Sequence, residues 1–196
     1  VSSQVSSAAR RELNSRQAET VERLLAAGAE ELRAVGSETL TIRTVAGRAG
    51  VSSATAYTYF ASKNHLFAEL FWRALLTDPQ PEPVGTTAVE RVCSVTRHLT
   101  AMLAASPELA AGATSALLGT DSDVERLRLR IGSEFVSRFR AAVGVVAAPA
   151  DADDVVETLA LAFSGALLQA GMGLMTYTEM GERLDSVVAT IMRGNS

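Results

Sequence analysis

One periodicity runs through almost the whole chain. From Ser15 onward apolar residues recur at intervals of three and four, and no stretch shows the strict apolar and polar alternation of a half-buried strand. The expected fold class is therefore all-α. In the first helix, Ser15 to Val35, the residues Val21, Leu24, Leu25, Leu32 and Val35 share one face, and Gly36 supplies a stop. Thr41 has the chemistry of an N-cap for a short second helix, whose stripe is Ile42, Val45, Ala46 and Ala49 and whose end is Gly50. Ser52 caps a third helix that closes at Phe60, Ala61 and Ser62. Lys63 opens a fourth, in which Leu66, Phe67, Leu70, Phe71, Ala74 and Leu75 form a wide apolar stripe.

The stretch TDPQPEPVG, residues 77–85, stops that helix, because three closely spaced prolines cannot continue one. It divides the chain into an arm at 1–14, a front unit at 15–77, a linker at 78–85 and a back unit at 86–196. In the back unit the period places helices at Thr87–Ala105, Pro107–Leu118, Ser122–Val143, Ala152–Met175 and Thr178–Met192. With 196 residues, 47% of them hydrophobic, the chain can build a core without staples, and its single cysteine, Cys93, suits a reducing cytoplasm. The opening residues carry no apolar run of secretory type. Between Glu157 and Glu179 there is no charge, yet Ser164, Gln169 and several glycines fit a helix buried in protein from all sides better than a membrane span. No membrane partner is expected.

The net charge of −4 conceals an asymmetry. Residues 1–75 carry nine basic against seven acidic side chains, and residues 76–196 carry nine against fifteen. The front is basic and the back acidic, and it is local charge that meets a phosphate backbone. Within the basic half, GVSSATAYTYFASK, residues 50–63, is helical in length but has few bulky aliphatic side chains. Buried in a bundle, Ser53, Thr55, Thr58 and Tyr59 would place polar groups where each needs a partner. On the surface they suit a helix that enters a major groove, and the two short helices joined at Gly50 and Val51 have helix-turn-helix spacing.

Residues 40–71, LTIRTVAGRAGVSSATAYTYFASKNHLFAELF, resemble the DNA-binding signature of the TetR-family transcriptional regulators: an AGVS turn, a threonine three residues later, a Y..F pair, and SK opening the next helix. The resemblance implies an N-terminal three-helix DNA-binding module and a C-terminal helical ligand-binding and dimerisation domain. It implies DNA contacts from Ser53, Ala54, Thr55, Tyr57, Thr58 and Tyr59, from Arg43 at the start of the second helix, and from Lys63 as a phosphate contact. Ala54 stands where the family more often has glycine or proline, and Ala56 replaces a usual leucine. Arg10, Arg11 and Arg16 supply an arm for phosphates or a minor groove.

By analogy with the family, the back unit takes a largely hydrophobic effector, with His98, Leu99, Met102, Phe135, Phe139, Gln169 and Met172 as a candidate lining. Ala162, Ala166 and Ala170, with nearby glycines, permit close helix approach and, together with RLDSVVATIM, a homodimer interface. An enzyme is disfavoured: Cys93 and His98 point about 140° apart on a helix, and the acidic run at Asp151–Asp154 is explained by a helix start. No metal or cofactor is expected. The reading is a homodimeric, ligand-responsive repressor acting on a palindromic DNA operator; the alternatives are a helical adaptor or an activator without a small-molecule ligand.

Overall fold

Helices are the only regular elements among the described residues of this computed structural model, which describes the backbone at 2–144 and 149–193 and the side chains at 14–144 and 152–193. In chain order they are α1 (Ser2–Thr39), α2 (Ile42–Arg48), α3 (Ser53–Tyr59), α4 (Lys63–Thr77), α5 (Ala88–Ala105), α6 (Pro107–Leu118), α7 (Ser122–Val143), α8 (Pro149–Gly171) and α9 (Tyr177–Met192). The backbone of α1 begins at Ser2, inside the stretch assigned to an arm; the side chains of Arg10 and Arg11 lie outside the described residues. Gly36, at φ 76° and ψ 170°, kinks α1 before one last turn.

Helix starts follow the capping chemistry in the sequence. The side chains of Thr41, Ser52, Ser62, Thr87, Asp121 and Thr176 each accept a hydrogen bond from a first-turn amide. At Thr87 the box is closed by Glu90, whose carboxylate accepts from the Thr86 hydroxyl and from the amides of Thr86 and Thr87. Those bonds, the Thr86 hydroxyl first, hold its pKa down to about 2. The far end of α8 departs from the sequence reading. It stops at Gly171 because Gly173 adopts φ 76° and the amides of Gly173 and Leu174 return to the carbonyls of Ala170 and Gln169. Thr176, rather than a later residue, then caps α9.

Two apolar clusters result. The front one joins Leu24, Leu25 and Leu32 of α1 to Ile42 and Val45 of α2, Ala56 of α3, and Leu66, Phe67 and Leu70 of α4. The back one joins Phe71, Trp72 and Leu75 of α4 to Leu99, Ile131, Phe139, Phe163 and Met180 from the other helices. Successive turns of α4 therefore serve different cores. α8 is not buried all round: Val155, Leu159 and Phe163 face inward, whereas Leu161, Ser164, Gly165 and Gln169 face outward, and Met172, in the turn after α8, is exposed. No single described helix is long and apolar enough to cross a membrane; α5 and α6 meet the length and composition requirement only as a pair bent by 103°.

Polar side chains pin α4 to α7 at both ends. The Ser62 hydroxyl, which caps α4, donates to Asp121 Oδ2 at 2.6 Å, and Asp121 caps α7. At the other end Arg138 of α7, 2% exposed, donates to Asp78 Oδ2 at 3.0 Å and to the Leu75 carbonyl at 2.8 Å, while its Nε reaches Glu134 at 2.9 Å. His98 Nε2 lies 2.7 Å from the same Asp78 oxygen. The pins are spaced alike along the two helices, so α4 and α7 run side by side in one direction.

Removing one partner of a buried ion pair strands the other. Arg138→Ala is expected to lower stability by about 3 to 5 kcal/mol in urea unfolding, whereas Arg73→Ala, from the exposed pair with Glu22, should cost under about 1 kcal/mol. Comparable losses in the two variants would contradict this placement of Arg138. Glu90 should titrate near pH 2 by NMR: its folded pKa lies below the ordinary value of 4.5. Its contribution to stability is therefore present above about 4.5 and fades as pH falls through about 2.

Candidate nucleic-acid interface

The turn between α2 and α3 is built from the backbone outward. Gly50 sits at φ 67°, its amide bonds the Gly47 carbonyl, and the Val51 amide bonds the Ala46 carbonyl. That pair of bonds closes α2 as a Schellman motif, which needs a left-handed residue at Gly50. Ser52 then starts α3 by accepting from the Thr55 amide at 3.0 Å, and its hydroxyl lies 2.8 Å from that of Thr55. α2 itself is tied to α1: Arg48 Nε lies 2.7 Å from Glu31 Oε2, and Glu31 is 7% exposed. The Arg48 guanidinium lowers the pKa of Glu31 against the opposing effect of burial.

Only Ala56 of α3 is buried. Ala54, Tyr57 and Thr58 are exposed, while Ser53, Thr55 and Tyr59 are half-buried, Tyr59 packing against the front cluster. Thr58 donates to the Ala54 carbonyl at 3.0 Å, an internal bond that leaves its hydroxyl oxygen able to accept another. Arg43 of α2 is exposed and has no ion-pair partner among the described residues. Lys63, the first residue of α4, donates to the Glu38 carbonyl at 3.0 Å and lies over the Phe67 ring. The residues assigned to DNA contact thus occupy α2, α3 and the start of α4, on the small front unit.

The residues assigned to effector binding do not gather around one cavity. Leu99 and Phe139 are fully buried in the back cluster, and Phe135 and Phe139 pack against Phe163 at centroid distances of 5.1 and 5.5 Å. Met102 is half-buried against the same cluster. His98 is bonded to Asp78, while Gln169 lies on the outward face of α8 and Met172 in the turn that follows it, 58% exposed. His98 and Leu99 do line a recess of about 240 Å³ beneath Pro81 and Pro83, together with Arg138. Among the described residues no group of His, Cys, Asp and Glu is arranged to hold a metal ion. Asp153, from the acidic run, pairs with Arg140 at 2.6 Å.

Sequence reasoning passed over Glu31, Asp121 and Arg138, which position the front unit. Glu31 and Asp121 carry local signals, a carboxylate beside the core residue Leu32 and an aspartate one residue before a helix start. The contacts that Asp121 and Arg138 make to α4 span 59 to 63 residues of sequence.

A family model described as "Bacterial regulatory proteins, tetR family" matches residues 24–70, the span from the middle of α1 to the middle of α4. An uncharacterised HTH-type transcriptional regulator of Mycobacterium tuberculosis is 44% identical over 92% of this chain and 84% of its own length. A TetR transcriptional regulator from Rhodococcus sp. RHA1 superposes with a TM-score of 0.75 at 20% identity, over 90% of this chain and 96% of that one. Thermus thermophilus FadR, a TetR-family transcriptional repressor solved in complex with lauroyl-CoA, gives a TM-score of 0.66 at 20% identity, over 88% and 93% of the two chains.

Gly50→Ala forces a Cβ into a left-handed conformation and should cost about 1 to 2 kcal/mol in denaturant unfolding. Gly47→Ala, inside α2 with open space where its Cβ would sit, should be neutral or stabilise by up to about 1 kcal/mol. Equal effects would contradict the turn geometry.

Proposed function

The chain belongs to the TetR family of bacterial regulatory proteins, and on that premise we propose that it is a cytoplasmic repressor that binds a palindromic operator as a homodimer and releases it on taking up a largely apolar small molecule. Its function is transcriptional regulation, not enzyme catalysis. The observation that carries the DNA-reading part is α3: a capped helix with one buried side chain, presenting alanine, hydroxyls and tyrosines outward. Small side chains let such a helix sit deep in a major groove, while Ser53, Thr55, Tyr57, Thr58 and Tyr59 supply bonds to base edges or phosphates and Ala54 a methyl for thymine. Arg43 and Lys63 neutralise phosphate charge on either side. The Glu38 carbonyl that Lys63 now contacts is a weaker partner than a phosphate oxygen, so the flexible lysine stem exchanges one for the other.

Dimerisation is supported by the outward face of α8. Leu161 (67% exposed) shares that face with Gly165, where an added Cβ would meet nothing, and Met172 (58%) and Leu174 (67%) follow in the turn after it. Exposed apolar side chains on α8, on the turn after it and, at Val187, on α9 are what a four-helix interface between two copies would cover. The effector reading follows the family analogy, and its place in the back unit would be the rings of Phe71, Phe135 and Phe163, which pack on one another and must part to admit a molecule. Phe71 belongs to α4, so a molecule entering there displaces the helix that carries the front unit. The Thermus repressor, solved with lauroyl-CoA, is in keeping with repression and with a ligand that carries a long apolar chain. The domain division at 15–77, 78–85 and 86–196 is part of the proposal.

Gel-shift titration against the DNA upstream of its own gene, at several salt concentrations, tests this reading. Tyr57→Ala or Thr58→Ala should weaken specific binding by about 1 to 3 kcal/mol, roughly five- to 150-fold, with little change on unrelated duplex. Lys63→Ala should weaken binding to every duplex and reduce the salt slope by about one. Unchanged affinity in all three variants would overturn it.

A further inference from the structure

Between α1, α4 and the corner joining α5 to α6 lies a groove of about 650 Å³, within the size range of small-molecule sites. It is separate from the aromatic cluster of the back unit and from the DNA-facing residues. Its floor is apolar and formed mainly by Leu25, Ala29 and Leu32 of α1, Leu70 and Ala74 of α4, and Leu109 of α6, with the alanines leaving the space. At one end of the rim Arg73 is neutralised by Glu22 at 2.7 Å. Arg33, on the same face of α1, is exposed and has no ion-pair partner among the described residues. The nearby Glu108 carboxylate accepts the Ser37 amide at 3.0 Å, turned toward the end of α1. Ser106, also on the rim, makes no side-chain capping bond to α6 and keeps its hydroxyl available.

An apolar trough whose rim holds an unpaired guanidinium at Arg33, a spare hydroxyl at Ser106 and, bound to the Ser37 amide, the Glu108 carboxylate has a defined complement. We propose that this groove is a second small-molecule site, taking a compact amphipathic carboxylate whose chain lies along the α1 and α4 alanines and whose charged end pairs with Arg33. A guanidinium binds a carboxylate through two parallel hydrogen bonds, which an alcohol of the same length cannot reproduce. The walls come from both units, α1 in front and the α5–α6 corner behind, so an occupant ties the two together where they meet.

Isothermal titration of the full chain, without DNA, against decanoate and the neutral decanol is the test. Decanoate should bind about tenfold or more tightly than decanol. Arg33→Gln should abolish that preference while leaving decanol binding unchanged, and Arg33→Lys should restore part of it. Ala74→Phe, which fills the groove, should abolish binding of both; Ala29→Trp, which fills it from the other wall, should do the same, each variant having wild-type helical content by circular dichroism. Absence of decanoate binding, a charge preference that survives Arg33→Gln, or binding untouched by both filling variants would overturn the site. The last outcome would direct the ligand to the back cluster instead. DNA takes no part in the measurement, so its failure leaves the DNA-reading proposal standing.

Discussion

The buried Arg138–Asp78 pair fixes the position of the helix on which everything else hangs. A guanidinium removed from water is costly unless nearly all its donors find acceptors, and here a carboxylate at Asp78, a second at Glu134 and the carbonyl of Leu75 supply them. These contacts hold the last turn of α4 against α7, while Ser62 and Asp121 join the first turns of the same two helices. Between the pins, α4 gives Leu66, Phe67 and Leu70 to one apolar cluster and Phe71, Trp72 and Leu75 to the other. A helix held at both ends and packed on two sides has little freedom to move alone. What displaces α7 displaces α4, and α3 follows across the short link at Phe60–Ser62.

The front unit is economical for a related reason. A helix of α3's length is not stable in isolation, and its single buried alanine adds little hydrophobic stabilisation. Its order comes from what surrounds it: the left-handed Gly50 turn, the Ser52 cap, and Phe60, 3% exposed, sealing its far end. α2 is secured to α1 by Arg48 and Glu31. Polar bonds and caps at the ends of α2 and α3 release the outward face of α3 from any structural duty, which is the condition for a reading surface.

Much of this was legible in the sequence, because helix periodicity and capping are local. Thr41, Ser52 and Ser62 announce three helix starts within a few residues of one another, and the proline run at 79–83 marks where α4 must end. The sequence places the end of α8 too late, because an apolar run continues past Gly171 to Met175, and only the left-handed Gly173 shows that the backbone has turned. The sequence makes the outward side of α8 look buried, because apolar composition does not distinguish a core from an apolar surface. The proposed effector residues were chosen by type and spacing, which put a side chain on a helix face but do not say whether that face meets a cavity or packed rings. Phe135 and Phe139 meet rings. The pins on α4 were invisible, since Asp78 and Arg138 are sixty residues apart.

The central claim is that α3 meets DNA while α4 and α7 move with it as one body. Amide hydrogen exchange on the protein alone and bound to its operator measures this directly. The account predicts added protection across residues 43–63, continuing into α4 and the first turns of α7 and fading in the middle of α5. Protection confined to α7 through α9, with α3 exchanging as fast as in the free protein, would contradict it.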